Sequence, residues 1–197
     1  MADEDLRARL VRVGGELLDQ EGIAAISLRE IARRAGVSHG APRRYFPTHL
    51  ELLSAIAREG FTDFAARAEA ALAAAPADPR AKLGVFARVY LDFAVERRGR
   101  YELMFRHDLL RSGYLGLRDI SLPLFHLLTD LVAQARPSPS PPAIVAGALW
   151  ANLHGLAELW NWGSLTLATG ATDPDALLEA TLTAHLGPPT SPPEATA

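Results

Sequence analysis

Three helix-start and two helix-stop signals crowd into the segment "SLREIARRAGVSHGAPRRYFPTHLELL", from Ser27 to Leu53, and they leave its backbone little choice. Ser27 followed three residues later by Glu30 is a capping box: the hydroxyl accepts from a backbone N–H that the first turn leaves open, and the carboxylate reaches back. Ile26 before the cap can staple onto Ile31. Leu28, Ile31, Ala32 and Ala35 then repeat at helical spacing and give that helix one apolar face. Gly36 stands where a helix closes through a left-handed residue, Val37 plugs the turn, and Ser38 is positioned as a second N-cap. A short helix is expected from there to about Tyr45, with Pro42 at its fourth position. Pro47 interrupts the chain, and Thr48 with Glu51 forms another capping box. It opens a long helix through Leu53, Ile56, Ala57, Phe61 and Phe64.

The remainder also reads as helix. Leu6, Leu10, Val13 and Leu17 line one face of a first helix that Gly22 ends. Asp78-Pro79 looks like a cap followed by a first-turn proline and opens a helix to about Arg98. Further helices are expected over 100–110, 115–135, 143–162 and 174–186, while the Pro/Ser-rich stretch 137–142 reads as a loop and 187–197 as a disordered tail. The fold class is therefore all-α. An N-terminal three-helix domain over 1–47 is expected to precede a helical bundle over 48–186.

Charge gives this architecture a direction. The chain carries a net charge of -3, yet the stretch from Ser27 to His49 holds Arg29, Arg33, Arg34, Arg43 and Arg44 against the single acid Glu30. A basic patch on an acidic chain suits local contact with a polyanion rather than general coating of nucleic acid. Two capped helices joined by a tight Ala-Gly-Val-Ser turn match the helix-turn-helix layout, whose second helix enters the major groove. Ser38 and His39 at the start of that helix lie nearest base edges, Gly40 and Ala41 let the backbone approach closely, and Arg43 and Arg44 lie late on it. Ser27 and Thr48, besides capping, are candidates for phosphate contact.

On these residues the chain resembles the TetR family of transcriptional repressors, with the capping boxes, turn glycine and "YFPT" all in the family's order. The resemblance implies a homodimer on a double-stranded operator, with phosphate contacts around Tyr45 and at the cap of the fourth helix. Arg43 stands where a Tyr is usual and His49 where a Lys is usual, so Arg43 is expected to supply the charge that position 49 lacks. "RYELMF" (100–105) and "LWANLHGLAELW" (149–160) resemble the WHG type of regulatory domain, whose Trp-His-Gly arrangement Trp150, His154 and Gly155 would provide. The resemblance also makes 1–47 the helix-turn-helix DNA-binding domain and 48–186 a helical ligand-binding, regulatory and dimerisation domain, and implies that the last two main helices, about 143–162 and 174–186, pair between subunits.

A sensing role is legible without the resemblance. Of 14 aromatic residues, 12 lie at or after Phe61, and a helical bundle rich in rings can hold an apolar ligand between its helices. Phe86, Tyr90, Phe93, Phe105, Phe125 and Trp150 are the candidate lining. His154 and Glu158 add a polar stripe that would orient a mainly apolar small molecule. Two other classes stay open: a small helical enzyme using His154 and Glu158 as acid and base, and an architectural helix-turn-helix protein with no ligand. No catalytic set, metal site or cofactor motif stands out, and none is expected. The absence of cysteine, the acidic N-terminus and the lack of a sufficiently long apolar run point to a cytoplasmic protein with no membrane partner.

Overall fold

The computed structural model describes residues 2–106, 108–109, 116–135 and 140–188, and every regular element among them is helical. Helix α1 (Ala2–Glu21) is followed by a 3-10 turn (Ile23–Ala25), α2 (Leu28–Arg34), α3 (Ala41–Tyr45) and the long α4 (His49–Ala74). Then come α5 (Pro79–Glu96), α6 (Arg98–Met104), α7 (Leu117–Ala135), α8 (Pro142–Asn161), α9 (Ser164–Thr169) and α10 (Asp175–Leu186). Two elements exceed the sequence expectation: the 3-10 turn, and α9, set off by Gly163 and Gly170. The helix expected over 100–110 begins earlier, at Arg98, and α6 closes at Met104. Residues 137–139 of the expected loop and 189–197 of the expected tail lie outside the described residues.

By packing, the chain divides into two compact units. One comprises residues up to Glu69 together with Asp92–Leu124, and the other comprises Ala70–Leu91 with everything from Phe125 on.

In the first unit α1 packs against α2, α3 and α6. Its predicted face is the buried one, with Leu10, Val13 and Leu17 in the core beside Ile31 of α2, Phe46 after α3, and Leu52, Leu53 and Ile56 of α4. Small residues let the helices come close. A Cβ on Gly14 would lie 2.6 Å from Ile56 Cδ1, and one on Gly15 would lie 2.6 Å from the Arg100 guanidinium. At the α1–α6 crossing a Cβ on Gly99 would run into the Leu18 carbonyl group, whose carbon lies 2.8 Å away. Backbone cannot retreat as a flexible side chain can.

Arg100 fills the space that Gly15 leaves and is only 8% exposed. Its backbone N–H donates to Asp19 Oδ1 at 3.2 Å, and its Nε approaches Asp19 Oδ2 at 3.0 Å. The second contact is angled as an ion pair rather than as a hydrogen bond. Burial pushes the Asp19 carboxyl above its ordinary pKa against the opposing pull of Arg100. Glu59 of α4, also pushed up chiefly by burial, feels the same guanidinium. One cation thus faces carboxylates from two helices.

The second unit is built from leucine-rich faces. Leu83, Phe86, Ala87 and Tyr90 of α5, Leu128, Leu131 and Val132 of α7, and Ala146, Leu149, Leu153, Leu156 and Ala157 of α8 are buried. Leu178, Leu182 and Leu186 of α10 join them, α10 packing on α8. Asp78 caps α5 through Ala81 N at 2.7 Å, as its place before Pro79 predicts.

Gly99→Ala is expected to destabilise the chain by about 1–3 kcal/mol, the usual cost of forcing an extra carbon into packed surroundings. Urea denaturation followed by circular dichroism measures it, and an unchanged midpoint would contradict the close α1–α6 approach.

Candidate functional site

The turn between α2 and α3 forms as its residues demand. Glu30 N–H donates to Ser27 Oγ at 3.1 Å, which caps α2. At the other end Val37 N–H reaches Ala32 O at 3.0 Å and Gly36 N–H reaches Arg33 O at 3.2 Å, with Gly36 at φ 68°. This is the Schellman closure, and it needs a residue that tolerates the left-handed region. Thr48 caps α4, accepting from Glu51 N–H at 3.2 Å.

Ser38 departs from expectation. It does not cap α3, which starts at Ala41 with Gly40 in the capping position and no side-chain cap bond. A helix capped at Ser38 would need its first internal bond from the N–H of residue 42, and Pro42 has none. The start therefore moves forward until Pro42 occupies the first turn, where no N–H is required. Ser38 O instead accepts from Ala41 N–H at 3.0 Å in the preceding turn. Pro42 itself is buried. The proline is thus a core contact of the three-helix head, a role its position in the sequence did not disclose.

The basic patch separates into two groups. Arg33 donates to both oxygens of Glu30, at 2.8 and 2.6 Å, and Arg34 reaches Glu30 at 2.8 Å and Glu21 of α1. These two arginines brace α2. Their hydrogen bonds, Arg33's first, hold the Glu30 carboxyl down at about 2 from its ordinary 4.5. Arg29, Arg43 and Arg44 are exposed and form no ion pair among the described residues. Arg43 and Arg44 share the exposed surface with Ser38, His39, Gly40, Thr48 and His49, and Ser27 is exposed at the start of α2. Ala41 and Tyr45 are half-buried. Arg7 lies over the Phe46 ring at 5.3 Å and ties α1 to the exit of α3.

The candidate ligand residues divide between the two units. Phe93 packs edge-on against Phe64 at 5.7 Å under the Arg67 guanidinium, and Phe105 packs against Phe61 and Tyr101 at 5.9 and 5.1 Å. Both belong to the first unit. The other six, Phe86, Tyr90, Phe125, Trp150, His154 and Glu158, are in the second. There Trp150 Nε1–H donates to Tyr90 Oη at 3.2 Å, and Tyr90 Oη lies 3.1 Å from His154 Nδ1. Phe125 meets the Trp150 ring at 6.1 Å, and Trp150 and His154 are 6.4 Å apart. Burial lowers the His154 pKa, with the Glu158 carboxylate opposing it. The tyrosine link across to α5 was invisible in sequence, because Tyr90 and His154 come together only through packing.

A capped helix-turn-helix with an unpaired basic edge, followed by a helical bundle, defines the class of DNA-binding transcriptional regulators. A model described as bacterial regulatory proteins, tetR family, matches residues 10–56, and one described as tetracyclin repressor-like, C-terminal domain, matches residues 83–185. The chain belongs to the TetR family of transcriptional regulators. Among solved structures it is similar to a protein with unknown function from Rhodococcus sp. RHA1, with 27% identity, 92% of this chain and 93% of that chain covered, and a TM-score of 0.80. It is also similar to the putative regulatory protein SCO4313, at 26% identity, 95% and 98% coverage and a TM-score of 0.72. A third similar structure is multidrug binding protein EbrR complexed with ethidium, at 28% identity, 92% and 98% coverage and a TM-score of 0.62. No curated protein matches the sequence significantly. Among the described residues no helix is long and apolar enough to cross a membrane.

Because the folded Glu30 pKa lies below the unfolded one, the stabilisation it contributes is complete above about pH 4.5 and is lost as the pH falls toward 2. Glu30→Gln should therefore flatten the pH dependence of the unfolding midpoint within that acid window. The effect is small at so exposed a site. A variant whose acid profile overlays the parent would show that the two arginines do not hold the carboxylate in solution.

Proposed function

We propose that the chain is a ligand-responsive transcriptional repressor of the cytoplasm, acting as a homodimer on a palindromic operator and released from it by a small, mainly apolar molecule. The observation that carries this reading is the division among the arginines. Arg33 and Arg34 are committed to holding α2, while Arg43 and Arg44 stand exposed and unpaired on the helix after the turn. Side chains left in that state by the fold are available for phosphate or guanine. Residues 1–47 act as the reading head, with α3 in the major groove and Ser38, His39, Gly40 and Ala41 facing base edges. Ser27, Tyr45, Thr48 and His49 flank them toward phosphate. The cap hydroxyls accept from backbone and keep a hydrogen to donate.

Residues 48–186 carry the response and the dimer contact. Part of the apolar surface of α8 and α10 is used within the chain, since Leu149, Leu153 and Leu156 are buried with Leu178 and Leu182. Apolar side chains on and just beyond α8 stay open: Ile144 is 67% exposed, Trp162 after the end of α8 62%, and Leu167 of α9 89%. A second copy related by a two-fold axis would cover the same patch on both subunits. The small-molecule reading is supported by the aromatic set around Trp150 and by EbrR, whose structure contains ethidium. A ligand that favours one conformation of the bundle would shift the dimer away from the spacing its two half-sites require. Helix α4, unbroken from His49 to Ala74, starts directly behind the head and is the element that would carry such a shift.

Recovery of fragments from genomic DNA by the purified protein identifies the operator, and release by a panel of apolar compounds tests the response. With an operator in hand, Arg43→Ala and Arg44→Ala should each weaken binding by about 1–3 kcal/mol where the side chain reads a base, or reduce the salt slope by about one where it meets phosphate. Unchanged isotherms for both would overturn the assignment of α3. Truncation before Ala143 should leave a monomeric or misfolded chain in sedimentation, and a well-folded dimer would remove α8 and α10 from the subunit contact.

A further inference from the structure

Helix α1 brings one cation to the edge of the reading head without pairing it to a carboxylate. The Arg7 guanidinium carbon lies 5.3 Å from the centre of the Phe46 ring. The ring is 1% exposed while Arg7 itself is exposed, so the guanidinium sits at the margin where the core of the head meets its surface. A cation over a ring face is held by the ring's quadrupole, which uses none of its N–H hydrogens. Five donors in a planar fork remain at its edge. Among the described residues Arg7 makes no hydrogen bond or ion pair, whereas Arg12, further along α1, is bonded to Glu16 at 2.7 Å.

The neighbours of Phe46 in the chain say what that edge faces. Phe46 closes α3, and Arg44 two residues before it and Thr48 two residues after it are both exposed. Two trans peptide units span at most about 7 Å, so both stand close to the ring that holds Arg7. A duplex carries one charge for about every 1.7 Å of its axis. A surface that meets DNA at the exit of α3 therefore brings phosphates to Arg7 as well.

We propose that Arg7 is a DNA-backbone contact of the reading head, a guanidinium stacked on the Phe46 ring that donates to phosphates beside the exit of α3. This rests on the reading of α3 as the groove helix and adds a contact from α1, a helix that the motifs left out of the interface. Phe46 acts as the positioning residue, since an arginine already stacked in place loses less freedom on binding than one that swings in water. A phosphate contact carries no sequence information of its own. Arg7 thus strengthens binding to every duplex alike and leaves selection to α3.

The probe is accordingly a fluorescently labelled duplex of mixed sequence, titrated with the full-length protein at a series of potassium chloride concentrations. In Arg7→Ala the slope of log affinity against log salt should fall by about one per bound subunit, with binding about tenfold weaker near 0.1 M salt and nearly unchanged toward 1 M. Arg7→Lys, which keeps the charge, should restore the slope. Arg12→Ala should leave it as in the wild type, since Glu16 already holds that guanidinium. If Arg7 only braced α1 against the exit of α3, Arg7→Ala would lower the unfolding midpoint and leave the slope unchanged, a result that would overturn the proposal. An equal fall in Arg12→Ala would overturn it too, by making the effect one of net charge. Arg7→Gln, which keeps most of the stem over the ring, takes the place of Arg7→Ala if circular dichroism shows the alanine variant unfolded. No salt-dependent binding by the wild type would instead remove the reading head, and the contact with it.

Discussion

The reading head is held by a buried cation. Arg100 lies where Gly15 leaves room, with Asp19 accepting from its backbone and facing its guanidinium, and with Glu59 close enough to feel its charge. Losing one partner of such a pair leaves a charge stranded in the interior, which costs far more than the pair itself contributes. The interaction therefore acts less as a source of stability than as a constraint on geometry. It ties α1 to α6 in one arrangement, and because α2 and α3 pack on α1, the position of the basic edge follows from it. A carboxylate beside an arginine in the interior is compatible with few other placements of these helices.

Much of this was written in local sequence. Ser27, Gly36, Thr48 and Asp78 each act through partners within a few residues, so their roles could be read without a structure, and each makes its anticipated bond or turn. Helix boundaries were legible where a cap fixes them. Failures came where the controlling partner is distant or absent. Ser38 has the chemistry of a cap, yet Pro42 removes the N–H that a helix beginning there needs, and the start moves forward. Arg33 and Arg34 look like Arg43 and Arg44 by composition. Only the approach of Glu21 from α1, together with the double use of Glu30, separates bracing from exposed arginines.

The aromatic residues show the same limit more sharply. Aromatic richness marks Phe93 and Phe105 as candidate lining, but not which interior they join, and each finds ring partners in the first unit. Tyr90 is an ordinary buried aromatic by its spacing on α5. Its hydroxyl becomes informative only when placed between an obligate donor and a ring that can accept. Side-chain hydrogen bonds between helices far apart in the chain leave no periodic trace, and so the polar ordering of the second unit emerges only in the folded chain.

The burial of Pro42 bears on how such a protein can change over time. Helix α3 has five residues, far too few to persist by its own backbone bonds. Its shape is imposed from beneath by Pro42 and Phe46, whereas Ser38, His39, Arg43 and Arg44 protrude on the other side. Anchoring and exposure thus fall to different residues of one short segment. On the proposed function, substitutions at the protruding positions would alter which sequence is recognised without disturbing the support below. On that reading a new operator would come within reach through surface exchanges that leave stability almost untouched.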